Sequence, residues 1–347
     1  MNKKNPKFNS IPESEKIAKN KIRKGAFNWL ISGAEDNHTT DQNINFLKQI
    51  KILPKILSKN YKLTLRSNFL NDIIETPLLL SPMGHQAQFH KQGEIEMAKG
   101  ISECNTIGFF STQSRYTLEE IRKKNLNTKI VWQIFPFGNK EWIAKEIKRA
   151  EKCGCKAIAL CLDAPVRSHR YIDRETNYDA RKYGKMRKLS QNPSFALRFD
   201  WNLIKWIKKK TKKQIILKGI INPKDALLAK KNDIKILWIS NHGGRMFNSG
   251  ISTGEALLEI RKKVGKKMIL IADGGIRKGT DIIKYLALGA NFVGIGRPAI
   301  YGLIIDGSKG VKLVFDLLNS ELRSAMLNGG FKNLKELNLS RIYTDHK

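Results

Sequence analysis

The chain has 347 residues, 41% of them hydrophobic, and a formal net charge of +33. That length allows one large domain with extensions; no run of about 18 apolar residues occurs and no apolar leader follows Met1, so neither a membrane helix nor a secretory signal is expected. The positive charge runs along the whole chain. With no helix-turn-helix, zinc finger or aromatic RNA-binding motif, it predicts anionic small-molecule substrates rather than nucleic acid.

Residues 1–76 read as a helical segment that caps the rest of the chain. From residue 77, short apolar runs recur at 77–80, 106–110, 130–134, 157–162, 215–217, 236–239, 268–272 and 292–295. Runs that are continuous rather than alternating mark strands buried on both faces, as in parallel sheets. Helical patterns intervene at 93–104, 142–153 and 280–288. Eight strands alternating with helices predict an α/β fold, a (β/α)8 TIM barrel over residues 77–347 with the C-terminal helices included. A long basic loop follows the fourth strand at 173–199. It holds Arg174, Arg181, Lys182, Lys185, Arg187 and Lys188 with Tyr178, Tyr183 and Phe195. It reads first as a solvated surface, and second as a lid or a peripheral membrane contact.

The runs end in polar or glycine-bearing clusters, at the face where barrels build active sites. These are Ser81-Pro82-Met83-Gly84, Ser111-Thr112, Gln133, Asp163, Lys218-Gly219, Ser240-Asn241-His242, Asp273-Gly274-Gly275 and Gly294-Ile295-Gly296-Arg297. His242 can move a proton near neutral pH. Arg245, three residues on, can grip a carboxylate with two parallel hydrogen bonds. A base beside an anion clamp points to proton or hydride chemistry on a small acid. The glycine clusters after the seventh and eighth strands, each with an arginine (Arg277, Arg297), predict a phosphate site. Cys104, Cys153, Cys155 and Cys161 form neither a disulfide framework nor a paired zinc pattern, so reduced thiols in a cytoplasmic protein and no metal are expected.

From about Ile17 to Leu337 the chain resembles the FMN-dependent 2-hydroxy-acid oxidases and dehydrogenases. The resemblance rests on Ser32-Gly33-Ala34-Glu35-Asp36, Leu217-Lys218-Gly219, Ser240-Asn241-His242-Gly243-Gly244-Arg245, Asp273-Gly274-Gly275-Ile276-Arg277-Lys278-Gly279 and Ala287-Leu288-Gly289-Ala290. It implies oxidation of an L-2-hydroxy acid to the 2-keto acid on bound FMN, with oxygen, a quinone or a cytochrome as final acceptor, in a homo-oligomer. His242 would take the hydroxyl proton as hydride passes to flavin N5, and Asp163 would support it. Arg245 and Arg170 would bind the substrate carboxylate. Pro82, Met83 and Gly84 would run along the flavin ring, and Ser111, Gln133 and Cys161 would face its edge. Lys218 would sit by the reduced flavin's charge, and Ser240 by the ribityl chain. Asp273, Gly275, Arg277, Gly296 and Arg297 would hold the ribityl phosphate.

The chain departs from that pattern at three positions. Trp29 and Phe135 stand where the family has substrate-binding tyrosines, and Cys161 stands where it has threonine. An indole N–H can replace one lost phenol donor; a phenyl ring cannot. The pocket is then more apolar, which favours a larger aryl or alkyl substrate over glycolate or lactate. Two other readings keep FMN: a specialised biosynthetic or peptide-derived substrate, and an isomerase.

Overall fold

The computed structural model describes residues 7–57, 62–135, 137–184 and 199–343. Eight parallel strands close into the expected barrel: β1 (Leu78–Leu80), β2 (Ile107–Ser111), β3 (Lys129–Ile134), β4 (Ala157–Cys161), β5 (Gln214–Ile220), β6 (Ile236–Ile239), β7 (Ile269–Ala272) and β8 (Phe292–Ile295). Each pairs with the next, and β8 returns to β1 through Val293↔Leu78 and Ile295↔Leu80. The largest difference from expectation is β5, which runs past its apolar stretch. Lys218 pairs with both Cys161 and Trp238, and a bulge follows between Lys218 and Ile220. A lysine inside a central strand has no sequence-level signature; it is held there by buried charges, as the site shows.

The apolar runs are continuous because alternate side chains enter two different cores. Leu79, Phe109, Val131, Ala159, Ile216, Trp238 and Ile271 pack inside the barrel. Their neighbours Leu78, Leu80, Phe110, Ile158, Leu217 and Leu237 pack outward, in the layer shared with the helices. A hairpin, Ser67–Phe69 with Asp72–Ile74, plugs the amino end of the barrel. It places Phe69 and Ile74 in the inner core, with the Phe69 ring 4.5 Å from Phe292.

Three helices precede the barrel: α1 (Ile11–Lys21), α2 (Lys24–Ile31) and α3 (His38–Gln49). Ser10 caps α1 by accepting from the Glu13 N–H. The basic loop expected at 173–199 is partly helical, with turns at Tyr171–Glu175 and Ala180–Tyr183. Tyr178 and Tyr183 stack at 4.8 Å, and the Tyr178 ring leaves no room for a Cβ at Gly25 of α2. Lys185, Arg187, Lys188 and Phe195 lie outside the described residues. No helix among the described residues is long and apolar enough to cross a membrane. All four cysteines are free thiols.

Candidate active site

The alternation of the strands continues past their last apolar residues. Two positions beyond the inward-facing set stand Ser81, Ser111, Gln133, Cys161, Lys218, Ser240 and Asp273. They sit under a cleft that opens at the carboxyl end of the barrel. Of the residues expected in the site, Trp29, Pro82, Met83, Gly84, Ser111, Gln133, Phe135, Arg170, Lys218, His242, Arg245, Asp273, Gly275, Arg277, Gly296 and Arg297 line this cleft. Cys161, Asp163 and Ser240 stand behind its wall.

The cleft floor is a buried charge network. Lys218 Nζ donates to Ser240 Oγ at 2.6 Å and pairs with Asp273 Oδ2 at 3.3 Å. Trp238 Nε1 donates to the same Asp273 oxygen at 3.0 Å. Burial works against the Lys218 charge, but Asp273 and Asp163 outweigh it, and its pKa ends above the ordinary lysine value. The cation is therefore permanent at neutral pH. Ser240 Oγ also accepts from the His242 backbone N–H at 3.1 Å, so its hydroxyl oxygen orients both the lysine and the histidine turn.

His242 Nδ1 lies 3.1 Å from Asp163 Oδ1. Burial would raise the Asp163 pKa, but His242 and Lys218 prevail and hold it at about 2. An ionised carboxylate only accepts hydrogen bonds, so Nδ1 carries the proton and Nε2 is the ring's basic nitrogen. The Cys161 thiol donates to the same Asp163 oxygen at 3.2 Å. Burial, reinforced by Asp163, pushes that thiol well above its usual range, so it stays a donor. Because the folded Asp163 pKa lies below its unfolded value, the pair contributes stability above about pH 4 that is lost as pH falls toward 2. Asp163→Asn is accordingly expected to be less stable than wild type at pH 6, by about 2 kcal/mol, and to melt lower. That gap should close between pH 4 and 2 in thermal melts; a gap constant with pH would show that the carboxylate charge is not what matters.

His242 adopts a left-handed backbone (φ 59), uncommon for a residue with a Cβ. The turn is fastened by the N-terminal segment. Ala34 N–H donates to Gly244 O at 2.8 Å, and Thr40 Oγ1 donates to Gly243 O at 3.1 Å. Asn43 and Asn241 exchange paired amide hydrogen bonds, both 2.9 Å. Gly244 (φ +76) sits so close to α3 that a Cβ would lie 2.4 Å from the Thr40 nitrogen, so no other residue fits. The residues before the barrel thus brace the site, and Thr40 and Asn43, which fasten the turn, are positions that sequence reasoning did not single out. They have no local signature, since their partners lie about 200 residues away.

Arg245 is anchored by the carboxyl end of α2. Its Nη1 donates to Trp29 O (2.9 Å), Leu30 O (3.1 Å) and Ser32 O (2.6 Å), carbonyls that helix geometry leaves over. Its Nη2 is buried and has no hydrogen-bond partner among the described residues. Burial, together with Arg170 and Arg297, lowers its pKa well below the usual guanidinium range. A guanidinium stays charged at neutral pH, so the depression reflects a cost that an anion would relieve. Arg170 pairs loosely with Asp173 at 3.6 Å and still lines the cleft. Arg297 is committed to backbone, donating through Nε to Leu30 O at 3.1 Å and through Nη2 to Gly243 O at 3.2 Å. Burial and the charge of Arg277 bring it to about 10. Arg277 faces Glu15 of α1 at 3.7 Å.

One wall is apolar. Phe135 stacks on Phe137 at 5.2 Å and meets the His242 ring edge-on at 6.3 Å. Ala164 and Met246 extend this wall. Ala164 and Met246 were not expected in the site, nor were His85, Phe89, Gln113 and Arg167, which line the cleft elsewhere. Phe137 packs behind Phe135. Four further buried polar atoms around the cleft have no hydrogen-bond partner among the described residues: Ser81 Oγ, Gln133 Nε2, Asp163 Oδ2 and Asp273 Oδ1. Each such orphan costs about 1–3 kcal/mol, and their convergence marks a place built for a polar ligand.

Known proteins resemble this chain in sequence and fold. The model of the FMN-dependent dehydrogenase family matches residues 18–344. A 2-hydroxyacid oxidase of Dictyostelium discoideum is 35% identical across 98% of this chain and 91% of its own length. A peroxisomal (S)-2-hydroxyacid oxidase of Arabidopsis thaliana is 33% identical across 97% of each. Among solved structures, a tyrosine-to-phenylalanine variant of mandelate oxidase with (S)-mandelic acid aligns with a TM-score of 0.90 at 26% identity, over 97% of this chain and 98% of that one. The chain belongs to the FMN-dependent dehydrogenase family and is an FMN-dependent oxidoreductase of the 2-hydroxy-acid oxidase type, acting on a CH–OH group.

Proposed function

We propose that the protein oxidises an L-2-hydroxy acid with an aryl or alkyl side chain to the 2-keto acid, with His242 as the base. The observation that carries this reading is a single cleft that holds a carboxylate-supported histidine beside a buried guanidinium with an unused N–H group. The orphaned atoms fit FMN. Gln133 Nε2 and Ser81 Oγ suit the carbonyls and nitrogens of a flavin ring, and the Lys218 cation suits a ring that gains negative charge. Pro82, Met83 and Gly84 would lie along the ring, with Ser111 at its edge. Gly275, Gly296, Arg277 and Arg297 would hold the phosphate. Asp273 is itself an anion paired with Lys218, so we assign it a ribityl hydroxyl in preference to the phosphate. FMN, when bound, supplies the acceptor for the two electrons that leave the substrate.

The chain's own residues do the rest. Arg245 and Arg170 fix the carboxylate, which sets the face of Cα that is presented. His242 Nε2 takes the hydroxyl proton, and the resulting imidazolium is stabilised by Asp163. Cys161 holds Asp163 from behind. Phe135, Ala164 and Met246 line the apolar wall beside the histidine, with Phe137 packed behind Phe135, the basis for assigning an aryl or alkyl substituent. The relatives are oxidases, which leaves the isomerase alternative without support. A cytoplasmic homo-oligomer is our reading of its setting, with peripheral membrane contact through residues 173–199 to be tested by fractionation and light scattering.

The test is anaerobic mixing of the FMN-loaded enzyme with L-2-hydroxy acids of rising size while flavin absorbance is followed. Bleaching by mandelate or long-chain hydroxy acids ahead of glycolate and lactate is expected. Admitting air then tells oxygen from a quinone or cytochrome as the acceptor. A yellow enzyme that no hydroxy acid bleaches would overturn the reading.

A further inference from the structure

Trp29 stands among four partners. The Arg245 Cζ lies 4.7 Å from its ring centroid and the Arg170 Cζ 5.9 Å. His85 meets it edge-on at 5.4 Å, and Phe89 lies tilted at 6.0 Å. Its backbone carbonyl accepts from Arg245 Nη1 at 2.9 Å. No hydrogen bond of its indole N–H occurs among the described residues, and the ring is only half-buried. Arg245 and Arg170 are like charges on one ring, and burial, with Arg170 and Arg297 adding to it, lowers the pKa of Arg245. Three backbone carbonyls hold Nη1, yet a guanidinium fastened by one nitrogen can still swing about that end.

From this geometry we infer that Trp29 is a positioning residue whose π face, not its N–H, holds the Arg245 and Arg170 guanidinia at the angle that presents them to the substrate carboxylate. This deepens the proposed carboxylate site and rests on it. An electron-rich indole face lowers the cost of keeping two like charges side by side without adding a carboxylate that would compete with the substrate. It also accounts for tryptophan at this place. A phenol would offer a donor, whereas an indole offers the strongest cation–π surface and spans both arginines. His85 and Phe89 fix the ring's tilt, so the plane of the indole sets the plane of the arginine fork.

The test uses FMN-loaded wild type, Trp29→Phe and Trp29→Leu, with oxalate as the carboxylate probe, read from the flavin absorbance change. Trp29→Phe keeps a face and loses the N–H; it should bind oxalate within about threefold of wild type. Trp29→Leu loses both, and its oxalate binding should weaken about tenfold. Its KM should rise while kcat changes less. Should Trp29→Leu fail to retain FMN, site-specific fluorinated tryptophans at position 29 answer the question without a change of shape, and affinity should fall stepwise with fluorine number. Equal losses in the Phe and Leu variants would overturn the inference and make the N–H the working group. So would affinity indifferent to fluorination. If wild type itself bound neither oxalate nor any hydroxy acid, the underlying carboxylate site would fail instead, a separate result.

Discussion

Replacing His242 by glutamine is expected to lower kcat by about 10²- to 10⁴-fold, the range in which a positioned base contributes, while FMN content stays near wild type and the melting temperature falls only as far as loss of the Asp163 pair requires. Glutamine can still donate from its amide toward Asp163, so the buried carboxylate keeps a neighbour, but the side chain has no basic nitrogen. The loss should fall on kcat and kcat/KM together, because the substrate carboxylate is held elsewhere, by Arg245 and Arg170. The residue is also strained: a φ of 59 at a side-chain-bearing position persists only because Ala34, Thr40 and the Asn43–Asn241 pair hold the turn. Glutamine at the same backbone angle meets the same constraint, which makes it a fairer test than glycine, since glycine would relax the turn as well as remove the base. A variant that kept more than a tenth of wild-type kcat would show that His242 is not the proton acceptor.

The barrel was legible because its strands are buried on both faces. A continuous apolar run of four or five residues such as Ile236–Ile239 is ambiguous alone, but eight of them in order, with helical patterns between, fit little besides a closed parallel sheet. The strand-end residues were legible for the complementary reason. Ser81, Gln133 and Asp273 are poor packing choices, and a polar residue two positions beyond an inward apolar one must face the open end of the barrel. What could not be read was pairing across the chain. The docking of α3 onto the His242 turn depends on Asn43 meeting Asn241, and asparagine at a helix face is unremarkable in sequence. Ser240 was expected beside the ribityl chain, and its oxygen also accepts from Lys218 and His242, partners that the sequence does not reveal. Alternation gives the side of a strand a residue faces, not the partner that captures it. Arg297 shows the same limit. Its charge and position suggested phosphate alone, but three of its bonds run to backbone carbonyls of residues 30, 32 and 243.

Arg245→Met is expected to cost about 30- to several-thousand-fold in kcat/KM, the 2–5 kcal/mol lost when one member of a buried charge pair is truncated. The reasoning starts from the two ends of the guanidinium. Nη1 is satisfied by three carbonyls at the end of α2, and Nη2 is left over in the cleft. The same side chain therefore ties the N-terminal helices to the barrel and offers the substrate a charged donor in a water-poor site. Methionine fills the volume but supplies neither, and a substrate carboxylate brought against it would be desolvated with only Arg170 in compensation. Arg245→Lys keeps the charge and loses the fork; a single ammonium cannot serve three carbonyls and the substrate at once, so an intermediate loss of about 10- to 100-fold is expected. The two roles separate experimentally. Added guanidinium ion should restore part of the turnover of the methionine variant, since a free cation can re-enter the cleft, but it should not restore its melting temperature, because the side chain that hydrogen-bonds the His242 turn to the end of α2 is gone. Recovery of neither would assign Arg245 to the fold alone, and a methionine variant with wild-type KM would remove it from the carboxylate site.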